Sequence, residues 1–281
     1  MTLNQIKELY QEQLATLYSK DEIYSILKIL CEDLLNWSSS DFLINDRESL
    51  NNLQEELLQK SLRELLTSKP VQYITGKAHF YGHEFIVNEH TLIPRQETEE
   101  LVHMIIENHK NDENIKIIDI GTGTGCIGLS LKNALSNCDV TLLDISVNAL
   151  EIAQYNANHL NVSVKTVLQD ILSLDELEQQ YDIIVCNPPY VREQEKEEIH
   201  NNVLQFEPHL ALFVPDHDAL IFYRKVLELA KKALKPKGTV YFEINQYLPQ
   251  EMTALAAIMG FTSQLFKDLN GNYRILKCQK P

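Results

Sequence analysis

The chain has 281 residues, 44% hydrophobic and 23% charged, with a formal net charge of −15. That length carries one large domain or two ordinary ones, and no apolar run approaches the roughly 20 residues that span a bilayer. The acidic excess repels DNA and RNA on average, so a protein or small-molecule substrate is expected ahead of a nucleic acid.

The opening stretch MTLNQIKELYQEQL reads as an amphipathic helix and not as a signal peptide. A cytoplasmic location is the expectation. Leu3, Ile6, Leu9, Tyr10, Leu14 and Leu17 recur at helical spacing, and so do Ile23, Ile26, Leu27, Leu30 and Leu34. A third stripe is Leu50, Leu53, Leu57, Leu58, Leu62 and Leu65, with NWSSSDF separating the second and third helices. Residues 1–70 are therefore expected to form a small helical bundle. Residues 71–95 are rich in aromatic and β-branched types, with Gly76 and Gly82 as turn points, and read as a β-hairpin linker.

From residue 96 to 281 strands and helices alternate. ETEELVHMIIENH is a helix, IKIIDI a strand, CIGLSLKNAL a helix, DVTLLDI a strand and NALEIAQYNANHL a helix. SVKTVLQD and YDIIVCN are strands, followed by the helix LIFYRKVLELAKKAL, the strand GTVYFEI and the helix PQEMTALAAIMG. FTSQLFKD and NYRILKCQ close the chain as two strands. This pattern predicts a doubly wound, mostly parallel α/β sheet with an antiparallel C-terminal edge hairpin. The charged stretch REQEKEEIH, 192–200, reads as a solvated helix face. Five cysteines without C-x-x-C spacing suggest buried thiols, and nine histidines show no ligand spacing, so no metal is expected.

Two motifs carry chemistry. Gly121, Thr122, Gly123, Thr124 and Gly125 join a strand to a helix, where glycines allow a tight turn and close approach of a ligand. The helix N-terminus beyond offers N–H groups to a carboxylate or phosphate. Asp144 ends the next strand, placed to accept hydrogen bonds from both hydroxyls of a ribose. This arrangement admits S-adenosylmethionine, and Gly123-x-Gly125-x-x-Gly128 also satisfies a dinucleotide fingerprint. Asp170 fits either an adenine amino group, with Ile171 as an apolar wall, or a capping role.

The second motif is Asn187-Pro188-Pro189-Tyr190, at the end of a buried strand. Pro-Pro can neither continue a ladder nor enter a helix interior, so it makes a stiff corner at the ligand-binding edge of the sheet. A planar amide is a poor nucleophile because its nitrogen lone pair is delocalised. Acceptors beside its N–H bonds would orient that lone pair toward an electrophile. The Asn187 side-chain oxygen and the Pro188 carbonyl supply two, and the Tyr190 ring can pack on the planar acceptor.

These residues carry a resemblance. DIGTGTG with NPPY resembles the amino-methyltransferases that use S-adenosylmethionine. PVQYITGKAHFYGHEFIVNEHTLIPRQETEELV, FEPHLAL (206–212) and DLNGNYR (268–274) are similar to the peptide chain release factor N5-glutamine methyltransferase family. The resemblance implies a Rossmann-like methyltransferase sheet behind a helical substrate-recognition domain. It implies methyl transfer to the glutamine of the Gly-Gly-Gln motif in class 1 release factors. It puts Gly121 to Gly125, Asp144, Ile171 and Asn187 on the cofactor, and Asn187, Pro188, Pro189 and Tyr190 on the glutamine. A monomer without direct nucleic-acid binding is the expectation. The chain departs from the family pattern at Gln96 and in VPDHDAL (214–220) and EINQYL (243–248). Other readings remain open at this point. They are a ribosomal-protein glutamine methyltransferase, a nucleic-acid adenine N6-methyltransferase, a nicotinamide oxidoreductase and a non-enzymatic binding module.

Overall fold

The computed structural model describes residues 1–280 except Ser136. The chain divides into two compact units, residues 1–77 with 199–206, and residues 78–198 with 207–281.

In the first unit, α1 (Leu3–Leu14), α2 (Lys20–Leu35) and α4 (Asn52–Leu65) are the three expected helices, while α3 (Ser39–Ile44) and α5 (Val71–Thr75) are short additions. Helix α3 lies in the stretch read as a separator. Ser38 caps it, and Phe42 is fully buried. Thr2, Ser38 and Asn51 each accept from the N3 backbone N–H, which returns a side-chain bond to the cap, so three helices begin with a reciprocal capping box. The stripes converge on one core that includes Leu3, Ile6, Tyr10, Leu27, Leu30, Leu58 and Leu62.

The second unit begins at Ala78, inside the hairpin of β1 (Lys77–Phe80) and β2 (His83–Ile86), followed by α6 (Gln96–His109), β3 (Lys116–Ile120) and α7 (Cys126–Ala134). Next come β4 (Asp139–Asp144), α8 (Val147–His159), β5 (Lys165–Leu168), β6 (Tyr181–Cys186) and β7 (Val191–Arg192). Helix α9 (Asn201–Phe206) is counted with the first unit. It precedes β8 (Phe213–Val214), α10 (Ile221–Ala233), β9 (Leu234–Glu243), α11 (Pro249–Ile258), β10 (Thr262–Lys267) and β11 (Tyr273–Gln279). The main sheet has the order β10-β11-β9-β6-β3-β4-β5, parallel from β9 to β5, with β11 and β10 antiparallel at one edge. The doubly wound sheet and its C-terminal edge hairpin are those expected from the alternating pattern.

Alternation along the strands divides the core. Ile118, Ile120, Ile184, Val240 and Phe242 face one way, with α10 and α11. Ile117, Ile183, Val185 and Tyr241 face the other, with α6, α7 and α8. All five cysteines are buried and free.

The charged segment differs from expectation. Residues Glu193–Glu198 form a 3-10 turn, and Glu195 is buried. It accepts from the Arg192 guanidinium and backbone N–H and from Asn245 Nδ2, so one acid of the run has turned inward to fasten a loop.

Candidate functional site

Strand register builds the site. Ile120 pairs with Cys186 and Leu143 with Ile120, while Phe242 pairs with Cys186. The next residues, Gly121, Asp144, Asn187 and Glu243, therefore leave neighbouring strands at one level, at the carboxyl edge of the parallel sheet. The order changes direction here, with β4 on one side of β3 and β6 on the other, the usual place for a ligand in such sheets.

The glycine turn is closed by Gly121 and Thr122, which both donate to the Leu143 carbonyl at 2.8 and 3.1 Å. Gly121 has φ +73° and Gly123 φ +54°, in the left-handed region where a side chain is strained. A Cβ on Gly121 would stand 4.0 Å from the Asn187 carbonyl oxygen, filling the gap between turn and proline corner.

Asp119, which faces α7 by alternation, braces the turn from beneath. It is fully buried, and its Oδ2 accepts from Thr122 Oγ1 at 2.6 Å and from Gly128 N–H at 3.0 Å. Its Oδ1 has no hydrogen-bond partner, and burial pushes its carboxyl up to about 6. A Cβ on Gly128 would lie 2.4 Å from Leu142 Cδ2 and 3.1 Å from Asp119 Oδ2, so a side chain there would have to displace its neighbours. Asn156, also fully buried, ties this turn to the hairpin through Thr124 O, Ile86 O and Ile86 N–H at 2.8–3.0 Å.

A cavity of about 340 Å³ opens against the turn. Gly121, Gly123, Asp144, Asp170, Ile171 and Asn187 line it, together with Pro188 and Pro189, which the resemblance put on the glutamine. Thr122, Thr124 and Gly125 do not. Thr122 donates inward to Asp119, while Thr124 Oγ1 accepts from Cys126 N–H and its carbonyl from Asn156. Asp144 Oδ2 accepts from Gly123 N–H at 2.9 Å and Oδ1 from Ser146 N–H at 2.9 Å. Each oxygen keeps a second lone pair for a ligand hydroxyl. Burial raises the Asp144 carboxyl above its ordinary value, opposed by these N–H bonds. Asp170 also caps the following 3-10 turn, Oδ1 accepting from Leu172 N–H at 2.9 Å, so both of its expected roles are compatible. The segment Glu89–Leu92, read in sequence only as part of the linker, closes another wall. It is anchored downstream by buried Glu207, which accepts from Ile93 N–H and from Arg95 Nη2.

Charge discriminates between ligands. The lining carries Glu89, Asp144 and Asp170, and among the described residues none of its side chains is Lys or Arg. The Gly123, Gly125, Cys126 and Gly128 N–H groups already donate to Asp144, Thr122, Thr124 and Asp119 respectively, and the Asp119 carboxylate lies under the helix start. The N-terminus expected to offer free donors is thus largely satisfied internally. A dinucleotide pyrophosphate would enter an acidic site with few donors. A cationic sulfonium compound with a ribose fits the glycine cradle, the Asp144 lone pairs and the acidic lining.

Beside this cavity lies a second one of about 60 Å³, lined by Arg95, Asn187, Pro188, Tyr190 and Glu243 among others. Asn187 is thus common to both. Its Nδ2 donates to Thr98 Oγ1 at 3.4 Å, Thr98 Oγ1 donates to Glu243 Oε2 at 2.6 Å, and Tyr190 OH donates to Glu243 Oε1 at 3.0 Å. Asn245 Nδ2 holds the Tyr190 carbonyl at 2.9 Å. Thr98, Glu243 and Asn245 went unmarked as site residues in the sequence. Glu243 was visible only as an acid ending a buried run.

Residues 86–209 match the methyltransferase small domain model and residues 8–76 the PrmC N-terminal domain model. A release factor glutamine methyltransferase of Flavobacterium psychrophilum is 45% identical over 281 residues, covering 99% of each chain. One of Bacteroides thetaiotaomicron is 39% identical over 280 residues, 99% of this chain and 100% of that protein. A methyltransferase of Pyrococcus furiosus shares the fold, with a TM-score of 0.53 at 17% identity over 79% of this chain and 98% of that one. With two relatives matched end to end, this chain belongs to the release factor glutamine methyltransferase family.

Proposed function

We propose that the protein transfers the methyl group of S-adenosylmethionine to the side-chain amide nitrogen of the Gly-Gly-Gln glutamine in class 1 peptide chain release factors. The product is N5-methylglutamine. The observation that carries this reading is the register that sets Gly121 beside Asn187, so that one asparagine borders both an acidic ligand cavity and a small acceptor pocket. Full-length relatives of that name support the substrate.

Bound against the glycine turn, S-adenosylmethionine supplies a sulfonium methyl, which the amide nitrogen takes as the carbon–sulfur pair returns to sulfur and the N–H proton passes to water. Asp144 holds the ribose, and Asp170 with Ile171 the adenine. Asn187 Oδ1 and the Pro188 carbonyl accept from the glutamine amide and aim its lone pair. Tyr190 confines the amide plane. Residues 1–70 grip the release factor, 71–95 link and also lend Glu89–Leu92 and Arg95 to the two cavities, and 96–281 carry the rest of the reaction site, in a cytoplasmic monomer that does not bind nucleic acid directly. Among the described residues no helix is long and apolar enough to cross a membrane.

The test is peptide mass spectrometry of a purified release factor incubated with the protein and S-adenosylmethionine. One added methyl on the Gly-Gly-Gln glutamine is expected. Asn187→Ala should lower kcat by about 100-fold or more, the scale of removing one transition-state hydrogen bond. Methylation of a ribosomal protein in its place would overturn the substrate assignment.

A further inference from the structure

We infer that Glu243 is a positioning residue: through the Thr98 hydroxyl it fixes which end of the Asn187 amide faces the acceptor pocket. This rests on the glutamine methylation proposed above and deepens it.

The argument is one of donors and acceptors. An asparagine amide presents either an oxygen or an NH2 to its surroundings, and the two ends have nearly the same shape. For methyl transfer the oxygen must face the incoming glutamine, since an NH2 there would oppose the substrate N–H. The Pro-Pro corner fixes the backbone and leaves this choice open. Burial raises the Glu243 carboxyl above its ordinary value, opposed by the Thr98 and Tyr190 hydrogen bonds and the nearby Arg274 charge, and in its ionised form it only accepts. Glu243 Oε2 therefore takes the single proton of Thr98, at 2.6 Å. With its proton committed, Thr98 Oγ1 can only accept from Asn187, whose Nδ2 lies 3.4 Å away. Asn187 Oδ1 is then left for the pocket.

The relay is shielded and braced. Thr98 and Glu243 are each only 2% exposed. The other carboxylate oxygen accepts from Tyr190 OH at 3.0 Å, and the Glu243 backbone carbonyl accepts from Tyr223 OH at 3.1 Å. Glu243 borders the small pocket, and each of its oxygens already accepts one hydroxyl, from Thr98 and from Tyr190. Its place beside Asn187 follows from the pairing of Phe242 with Cys186.

Reversing the relay tests it. In Glu243→Gln the amide oxygen keeps the Tyr190 hydroxyl and the NH2 falls on the Thr98 side. Thr98 then receives that proton and donates its own to Asn187 Oδ1, turning the Asn187 NH2 into the pocket. The variant should lose kcat on the order of 100-fold, with S-adenosylmethionine affinity and melting temperature near wild type. Thr98→Val removes the bias without reversing it and should cost roughly tenfold, while Thr98→Ser retains activity within about threefold. The double variant Glu243→Gln/Thr98→Val should recover to the Thr98→Val level, a rescue that loss of packing would not produce. Wild-type kcat in both Thr98→Val and Glu243→Gln, or a double variant worse than Glu243→Gln alone, overturns the inference. If Glu243→Gln does not fold, the contrast of Thr98→Val with Thr98→Ser decides, and equal rates overturn it. Failure of the wild-type protein to methylate a release factor would instead strike the parent proposal.

Discussion

Asp119 sits in the run IKIIDI at a position that alternation assigns to the core, and the structure buries it completely. Its carboxyl is raised from 3.8 to about 6 by desolvation, against the Thr122 and Gly128 hydrogen bonds. The folded protein therefore holds this proton more tightly than the unfolded chain. The stability it brings is fully present below pH 3.8 and is lost as pH rises through about 6. The shift corresponds to of order 3 kcal/mol. Asp119→Asn has no such titration. Its melting temperature, measured against wild type, should therefore rise relative to it between pH 4.5 and 7.5. A pH-independent offset would show that Asp119 titrates as it does in solution. An acid inside an apolar strand was a legible anomaly, and so was Glu243 at the end of GTVYFEI. Thr98 left no trace, because one threonine in a helix's first turn looks like any other until a strand 145 residues away brings a carboxylate to it.

At the level of elements, periodicity gave the main sheet strands and the long helices, since each stands on one repeating stripe. It did not give α3 or the short β7–β8 pair, which are too brief to show a period and are held by caps and crossing bonds. Nor did it show which loop residue holds a wall of the cavity. Glu207 illustrates this: it fastens Ile93 and Arg95, more than a hundred residues away in sequence. Glu207→Ala strands a buried N–H and frees Arg95, a loss of about 2–3 kcal/mol. Calorimetry should show the melting temperature falling by several degrees. S-adenosylmethionine binding should also weaken, because Glu89–Leu92 borders its cavity. Unchanged affinity would mean that the segment holds its shape without Glu207. The departure EINQYL has a structural role too: Asn245 bonds both the Tyr190 carbonyl and buried Glu195, so a polar side chain fastens the acceptor corner.

On the scale of the whole molecule, each compact unit has its own apolar core, and the thiols are divided unequally between them. Cys31 lies in the helical unit, while Cys126, Cys138, Cys186 and Cys278 lie in the sheet unit. Burial raises all five thiols above their ordinary value, so each is both hidden and poorly ionised while its surroundings are folded. The native protein should accordingly take up no alkylating tag. In a pulse of iodoacetamide along a denaturant series, a mass gain of one tag marks opening of the helical unit alone and a gain of four marks the sheet unit. A gain of five in a single step means that the chain opens as a whole. The cysteines thus make the protein its own recorder of the order in which it comes apart.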